Sequence, residues 1–462
     1  MSTDQNLCGE VLEAALETAM ARALAAAKGA GAADVEVSYL GTATEFVRFA
    51  SSRFTQVGST VSDALRIRVM ADGRLGSQMC ATLRPDAVAA AAVAAVEVAR
   101  MSPRLQVPFG FARPEDAELA IAQPPPRREE LSAAQAPALL AAAFAPHRAA
   151  GVLFAGALKA NTSRHAVRTA AGVQRDFASS TVVTQLIALA GGASGFAGAF
   201  TPGHEAVDLT ALAATASDRA LRGRDPMDLP PGAYDVVLAP AAFAELIEWM
   251  AAVSFGAVSI LDGTSLLVGR QGVALCDPRV TLRDELGPTD APFDAEGTPR
   301  RVVTFIDGGA GGQAVTDLAT AARLRDGRGS TGHAAAITDE FATGPAVHHL
   351  RMSVGDATED ELIGRVDRGL YLTRLHYVNG LLNPRKATTT GMTRDGTFLI
   401  EGGKVGRAVA NLRFTEHLLE ALSRVGGIGS EAVEVPTWWS EGGTITTPAV
   451  LLGGYHFTGR SR

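Results

Sequence analysis

Nine histidines, three cysteines and 49 carboxylates are the groups in this 462-residue chain that could bind a metal, attack a carbonyl or move a proton. Their spacing limits the chemistry. His348 and His349 are adjacent, so on a strand their rings point to opposite faces and do not easily share one ion. His417 and His456 stand alone, and no histidine occurs between His204 and His333. Cys276, in Cys276-Asp277-Pro278, closes a strand-like run with no histidine near it in sequence. A thiol nucleophile needs a base within hydrogen-bond reach. Cys276 therefore reads as structural, with a base brought in by the fold as the open alternative. The acidic run Glu359-Asp360-Glu361 reads as the first turn of a helix, where carboxylates complement the dipole. Thr358 would be its N-cap, and Glu361, three residues on, would complete a capping box. Asp307-Gly308-Gly309 and Arg394-Asp395-Gly396 are turn sequences that supply positive φ between strands. None of the glycine-rich loops matches a P-loop or a dinucleotide fingerprint.

Composition excludes other classes. Lys and Arg total 42 against 49 Asp and Glu, a net charge of −7. No basic run of the kind that neutralises phosphates is present, so no nucleic-acid partner is expected. Cys8, Cys80 and Cys276 are odd in number, widely spaced and lack a CxxC pair; a disulfide framework is not expected, which fits a reducing compartment. The start, Met1-Ser2-Thr3-Asp4-Gln5, has no basic region before an apolar stretch. The longest apolar run, Ala87 to Val96, is too short to span a bilayer. A cytoplasmic protein with no membrane partner is the expectation.

The elements that must position these groups follow from periodicity. Residues 9–28 repeat apolar positions at helical spacing, and Gly29 and Gly31 stop the helix. Strand-like stretches follow at 35–39, 46–49, 54–57 and 64–70, with Asp72-Gly73 as a two-residue hairpin turn. An Ala-rich helix begins after Pro85 and ends near Met101. The pattern then recurs, with strands at 151–159, 165–169, 173–177 and 181–189 and a helix from Glu205 to Leu221. We read a duplicated strands-plus-helix unit; two unrelated antiparallel sheets that look alike are the alternative. Gln123 to Pro126, with its three prolines, reads as a semi-rigid linker inside the first domain. The stretch Asp225 to Gly232, DPMDLPPG, is the strongest boundary. Beyond it, short apolar runs dominate and helical windows are few: 240–253, 358–367 and 412–424. The fold class expected is α+β, with an N-terminal α+β domain at 1–229 and a mainly β C-terminal domain at 230–462. Ile445 to Leu452 reads as a final buried strand. Trp438-Trp439 suit either an interface or the core.

The second half also carries a collinear set of segments. Phe293 to Pro299 (FDAEGTP) precedes Val302 to Ile306 and Asp307-Gly308-Gly309. Ala321-Ala322-Arg323 and Ser330-Thr331-Gly332-His333 follow. Then come LYLTRLHYVNGLLN, from Leu370 to Asn383, the run from Thr390 to Lys404, and Asn411 to Thr415. The first half adds FTQVGSTVSDALRIRVMADGRLGSQ before its Ala-rich helix. This order and spacing resembles the TldD/PmbA family, once described as modulators of DNA gyrase, over nearly the whole chain.

The resemblance implies a zinc peptidase architecture. TldD-type members resemble zinc enzymes with a His-Glu-x-x-x-His helix and a further Cys ligand near the C-terminus. Zinc takes imidazole and thiolate at short range and activates a water, whose proton a glutamate accepts. The corresponding helix here is AAFAELIEWMAAVSFGA. Ile247 stands where the first His belongs, Glu248 at the Glu, and Ala252 at the second His, and no cysteine follows Cys276. No metal or other cofactor is therefore expected in this chain, and Glu248 is at most a remnant of the motif. The resemblance points to the PmbA (TldE) type: a non-catalytic subunit that pairs with a TldD-type catalytic subunit, which carries the zinc, and acts on unfolded polypeptides or peptide precursors. Peptide would be expected to add to an exposed sheet edge. His376, Asn379, Thr390, Arg394 and Arg413, polar groups in the marked loops, are the candidate peptide contacts. Two alternatives stay open: a peptidase active by itself through an unrecognised site, and a peptide-binding or assembly protein without proteolysis.

Overall fold

The computed structural model describes residues 10–114, 128–339, 343–436 and 444–460. The first half is one six-stranded antiparallel sheet in the order β3-β2-β1-β4-β5-β6. Its strands are β1 Asp34–Ala50, β2 Arg53–Ala71, β3 Arg74–Cys80, β4 Leu153–Thr169, β5 Gln174–Ala190 and β6 Ala193–Pro202. The expected duplication is present and includes one more element. Each unit is a helix, three strands and a second helix: Glu10–Gly29 and Pro85–Met101 frame β1 to β3, and Ala136–Phe144 and Leu209–Arg222 frame β4 to β6. The two units join through β1 and β4, paired from Glu36↔Thr169 to Phe49↔Gly156.

Two glycines show why the units match. A Cβ at Gly76, the third residue of β3, would lie 2.1 Å from Ala95 O; at Gly195, the third residue of β6, it would lie 2.3 Å from Ala216 O. In both units the absent side chain lets the helix backbone rest on the sheet, and the helix meets it with alanines (Ala92, Ala95 and Ala99; Ala213, Ala216 and Ala220). Each unit has its own core. In the second, Phe144 stacks on Phe154 at 4.5 Å and packs against Phe49 at 5.1 Å. Each buried ring contributes roughly 1.5–3 kcal/mol.

The sequence divided each long strand in two, and the structure does not. Gly41 to Thr44 in β1 and Asn161 to Arg164 in β4 carry no Val, Ile or aromatic residue, yet they lie mid-strand, paired with each other across the junction of the two units. Pairing on both sides overrides weak local propensity.

The second half is built on a 13-stranded sheet. Its spine is β19 Thr444–Arg460, which pairs with β7 Gly232–Leu238, β11 His349–Met352, β17 Leu412–His417 and β18 Val425–Pro436. The final strand is thus longer than expected from Ile445 to Leu452. Window 412–424 was expected to be helical. It is instead β17 followed by the short helix Leu418–Leu422, because Leu412 and Phe414 are buried while Arg413 between them is exposed, a period of two. The capping box of Thr358 and Glu361 is formed as read. Trp438-Trp439, the proline linker and Cys8 lie outside the described residues.

The two sheets dock through buried charge. Arg68 of β2 donates to both oxygens of Glu36 at 2.8 and 2.7 Å and to Glu296 of the second half at 2.8 Å. Glu296 in turn accepts from Leu318 N at 2.9 Å.

Candidate functional site

The helix Pro240–Ser254 follows β7 directly, with Pro240 in its first turn. It is buried on most of its circumference, from Ala242 to Ile247 and again at Met250, Ala251 and Ser254. Such a helix has little room for charge, yet it carries Glu245 and Glu248. The family-marked segment lies against it. Gly380 of β13 Leu375–Asn383 meets Trp249: a Cβ there would stand 2.9 Å from Trp249 Cβ. β13 pairs with β14 Thr388–Thr393 irregularly, its register broken between His376 and Asn379. At that break Tyr377 takes a left-handed φ of 49° and leaves its ring 70% exposed.

Arg374, just before β13, is the centre of the site. Its guanidinium lies over the Phe196 ring at 4.1 Å, donates to Asp395 Oδ2 at 2.7 Å, and sits 3.8 Å from Glu245 Oε1. Asp395, in the turn after β14, takes a left-handed φ of 56° and accepts from Ser194 Oγ at 2.6 Å with its other oxygen. Phe196 and Ser194 belong to β6, so both halves of the molecule build this cleft. Burial pushes the Glu245 carboxyl up to about 8; Arg374 opposes that shift, while Glu248 and Asp395 add to it. His376 is shifted down, by burial first and then by Arg394 and Arg374.

The predicted residues divide accordingly. His376 and Arg394 border the Arg374–Asp395 pair, and Glu248 is electrostatically coupled to Glu245. Asn379 and Thr390 lie opposite each other on β13 and β14. Asn379 Oδ1 accepts from Leu381 N, and Thr390 Oγ1 donates to Phe414 O. Arg413 sits exposed on β17, across from Met392. Sequence reasoning missed Glu245, Arg374, Ser194 and Phe196. The available signal was Glu245, one of only two charged residues in an apolar fifteen-residue helix.

A second polar cluster lies deep at the interface of the halves. Asp284 accepts from Arg300 Nη2 at 2.7 Å and from the backbone of His348 and His349 at 2.7 and 3.0 Å, with His333 Nε2 at 3.1 Å. Burial alone would raise its carboxyl; His333 close by and the Arg300 guanidinium outweigh that and hold it low. His349 Nδ1 reaches Asp290 at 3.0 Å. Burial pushes His348 down to about 3, with Arg300 and His333 adding, and burial pushes His165 of β4 down to about 4. Among the described residues, no three His, Cys, Asp or Glu side chains are grouped to hold a metal. The zinc positions on the helix do not fit the ion either. Ile247 is fully buried in the core and Ala252 is exposed, and neither has a ligand atom. Cys276 is half-buried, and burial followed by Asp277 pushes its thiol up to about 12, the opposite of an activated nucleophile.

Known proteins supply the context. Residues 231–459 match the PmbA/TldA metallopeptidase C-terminal domain and residues 35–99 match PmbA/TldA metallopeptidase domain 1. A metalloprotease of Methanothermobacter thermautotrophicus is 26% identical over 236 residues, 49% of each chain. The match thus spans about half the length of that curated relative. The crystal structure of TldE from Thermococcus kodakarensis superposes with a TM-score of 0.80 at 18% identity, over 96% of this chain and all of that one. A structure from Thermotoga maritima, described as a candidate modulator of a DNA gyrase, gives 0.79 at 21% over the same 96% of this chain and 100% of its own. One from Bacteroides thetaiotaomicron, described likewise, gives 0.77 at 16% over 96% and 98%. At these identities the structural likeness establishes the fold, α+β in two parts.

Proposed function

The chain belongs to the TldD/PmbA metallopeptidase-related family, and from that premise we propose that it is a non-catalytic, TldE-like subunit of a heteromeric zinc peptidase. The observation that carries this reading is the helix Pro240–Ser254. Where the zinc chemistry needs two imidazoles it presents a core isoleucine, Ile247, and an alanine, Ala252. Glu248 remains, but a glutamate without a metal-bound water has no proton to accept in this mechanism. The zinc belongs to a TldD-type partner. This chain closes the chamber and helps hold unfolded polypeptide or a peptide precursor.

The cleft around Arg374 supports the holding role. It lies where two sheets meet, beside the irregular strand β13, which among the described residues pairs on one side only, with β14. An unpaired strand edge gives sequence-tolerant main-chain binding. His376, Asn379, Thr390, Arg394 and Arg413 are the proposed peptide contacts, and the boundary between the parts is placed at 229/230. We assign the protein to the cytoplasm: Cys80 and Cys276 form no disulfide, and no helix among the described residues is long and apolar enough to cross a membrane.

Size-exclusion chromatography with light scattering tests the partnership. The purified chain mixed with a TldD-type subunit from the same source should elute as one complex containing both. Separate elution at micromolar concentrations of each would remove the heteromer from the account.

A further inference from the structure

The two units of the first sheet repeat each other but are not equally covered. A shift of 119 residues turns Asp34↔Met70 into Leu153↔Leu189 and Leu65↔Cys80 into Thr184↔Ala199. The same shift matches Phe46, Arg48 and Phe54 to His165, Val167 and Val173. In the second unit this tip lies under the second half. Val167 and Val173 are each 2% exposed, a Cβ at Gly297 would stand 3.0 Å from Val167, and Asp290 acts on His165. In the first unit nothing among the described residues takes that place. Arg48 is exposed, and so are Phe54, Val57 and Val61. The strand edge here is open too. β2 pairs regularly with β1 from Arg48↔Gln56 to Leu40↔Ala64, whereas β3 pairs only with Leu65 to Ala71. From Gln56 to Ala64 the outer backbone groups of β2 therefore have no strand partner among the described residues. Exposed edges are commonly guarded by lysine or proline, and this stretch holds neither; its one charge, Asp63, accepts from the Tyr39 hydroxyl.

The charge of the tip selects what covers it. Val37 and Val47 of β1 are buried in the cores under the helices, so its even-numbered residues point the other way. On that side β1, β2 and β4 present Thr44, Phe46, Arg48, Gln56, Thr60 and Lys159: one aromatic ring, two cations and no carboxylate. The same side of β2 continues into the contact already made by the second half, where Arg66 donates to Ala295 O and Arg68 to Glu296. An extended segment that carries carboxylates would prolong this interface, pairing its charges with Arg48 and its backbone with the open edge. The tip is also clear of the cleft, since β2 and β6 lie towards opposite edges of the sheet. We propose that the TldD-type partner docks here, adding an acidic strand to β2 between Gln56 and Ala64 and covering Phe46 and Arg48. The inference rests on the heteromeric reading and deepens it by assigning the contact surface on this chain.

The experiment titrates a TldD-type subunit from the same source into the full chain by calorimetry. Arg48→Glu with Thr60→Glu places like charge on the tip at two exposed positions and should weaken the complex at least about ten-fold. Ala21→Glu with Arg22→Glu makes the same change in net charge at exposed positions of the helix Glu10–Gly29 and should bind as the parent does. Hydrogen exchange on the parent supplies a second reading that needs no variant: the amides from Gln56 to Ala64 should slow at least about ten-fold in the complex. No complex with the parent chain removes this inference together with the heteromer. A complex that the tip variant forms equally well, equal weakening in the helix variant, or exchange at β2 unchanged by the partner overturns the surface and leaves the heteromer standing. Self-association of the parent chain that the tip variant abolishes also overturns it, because the edge then belongs to a second copy.

Discussion

Replacing Glu245 by glutamine should stabilise the protein, and only above a definite pH. In the folded chain burial pushes this carboxyl up to about 8, against an ordinary 4.5. The folded state therefore keeps a proton that the unfolded state releases. Across that interval the unfolded state binds fewer protons, so stability falls as pH rises from 4.5 and levels off above 8. Each pKa unit is worth about 1.4 kcal/mol, which places the ceiling of the effect at about 5 kcal/mol. That figure already contains the opposing effect of Arg374 at 3.8 Å, and about 4 kcal/mol is the expectation at pH 8. Glutamine has nearly the same shape and never ionises, so Glu245→Gln escapes this loss. Near pH 5 the variant and the parent should unfold together. At pH 8 the variant should unfold several degrees higher, at a few degrees per kcal/mol for a domain of this size. Scanning calorimetry at both pH values decides it. Equal melting temperatures at pH 8, or a variant less stable there than its parent, would refute the placement of Glu245 as a buried acid held protonated against the Arg374 cation.

Other expectations follow from the same geometry. Gly195→Ala should destabilise the first half by about 1–3 kcal/mol, because its Cβ would meet the helix backbone 2.3 Å away; an unchanged urea midpoint would contradict the close helix–sheet contact. Arg68→Met leaves Glu36 and Glu296 buried without their shared cation and should cost about 3–5 kcal/mol, partly recovered in Arg68→Met with Glu296→Gln, as measured by denaturant unfolding. His165 titrates near 4 in the folded chain against an ordinary 6.5. The unfolded state takes up a proton that the folded state refuses, so stability should fall as pH drops from 6.5 towards 4, by roughly 3 kcal/mol at most. His165→Gln should flatten that part of the curve of melting temperature against pH.

The sequence disclosed elements whose signals are local. The capping box at Thr358 and Glu361, the turns at Asp72-Gly73 and Asp307-Gly308-Gly309, and the Ala-rich helix after Pro85 all depend on residues a few positions apart. The duplication was legible as repeated order, although helix Ala136–Phe144 was not, since its residues, APALLAAAF, are apolar throughout and so show no period. Long strands were cut because Gly, Ser, Ala, Asn and Asp interrupt the alternation in their middles, and only cross-strand pairing shows that they continue. The cleft was least legible. Ser194, Glu245, Arg374 and Asp395 are spread over some two hundred positions, and nothing local marks any of them as facing the others. Glu248, picked by the motif, proves to be the neighbour of the pocket acid, one helical turn beyond it. His376, picked from the family-marked segment, does border Arg374 and Asp395.

The central claim is that this chain lacks the means to hold zinc and cleave peptide by itself. Metal content by mass spectrometry of the purified chain, with peptidase activity on an unfolded substrate measured alone and with a TldD-type subunit, tests it most directly. The account predicts no stoichiometric zinc, no cleavage by the chain alone, and chelator-sensitive cleavage once the partner is added. Stoichiometric zinc together with chelator-sensitive cleavage by the chain alone would contradict it.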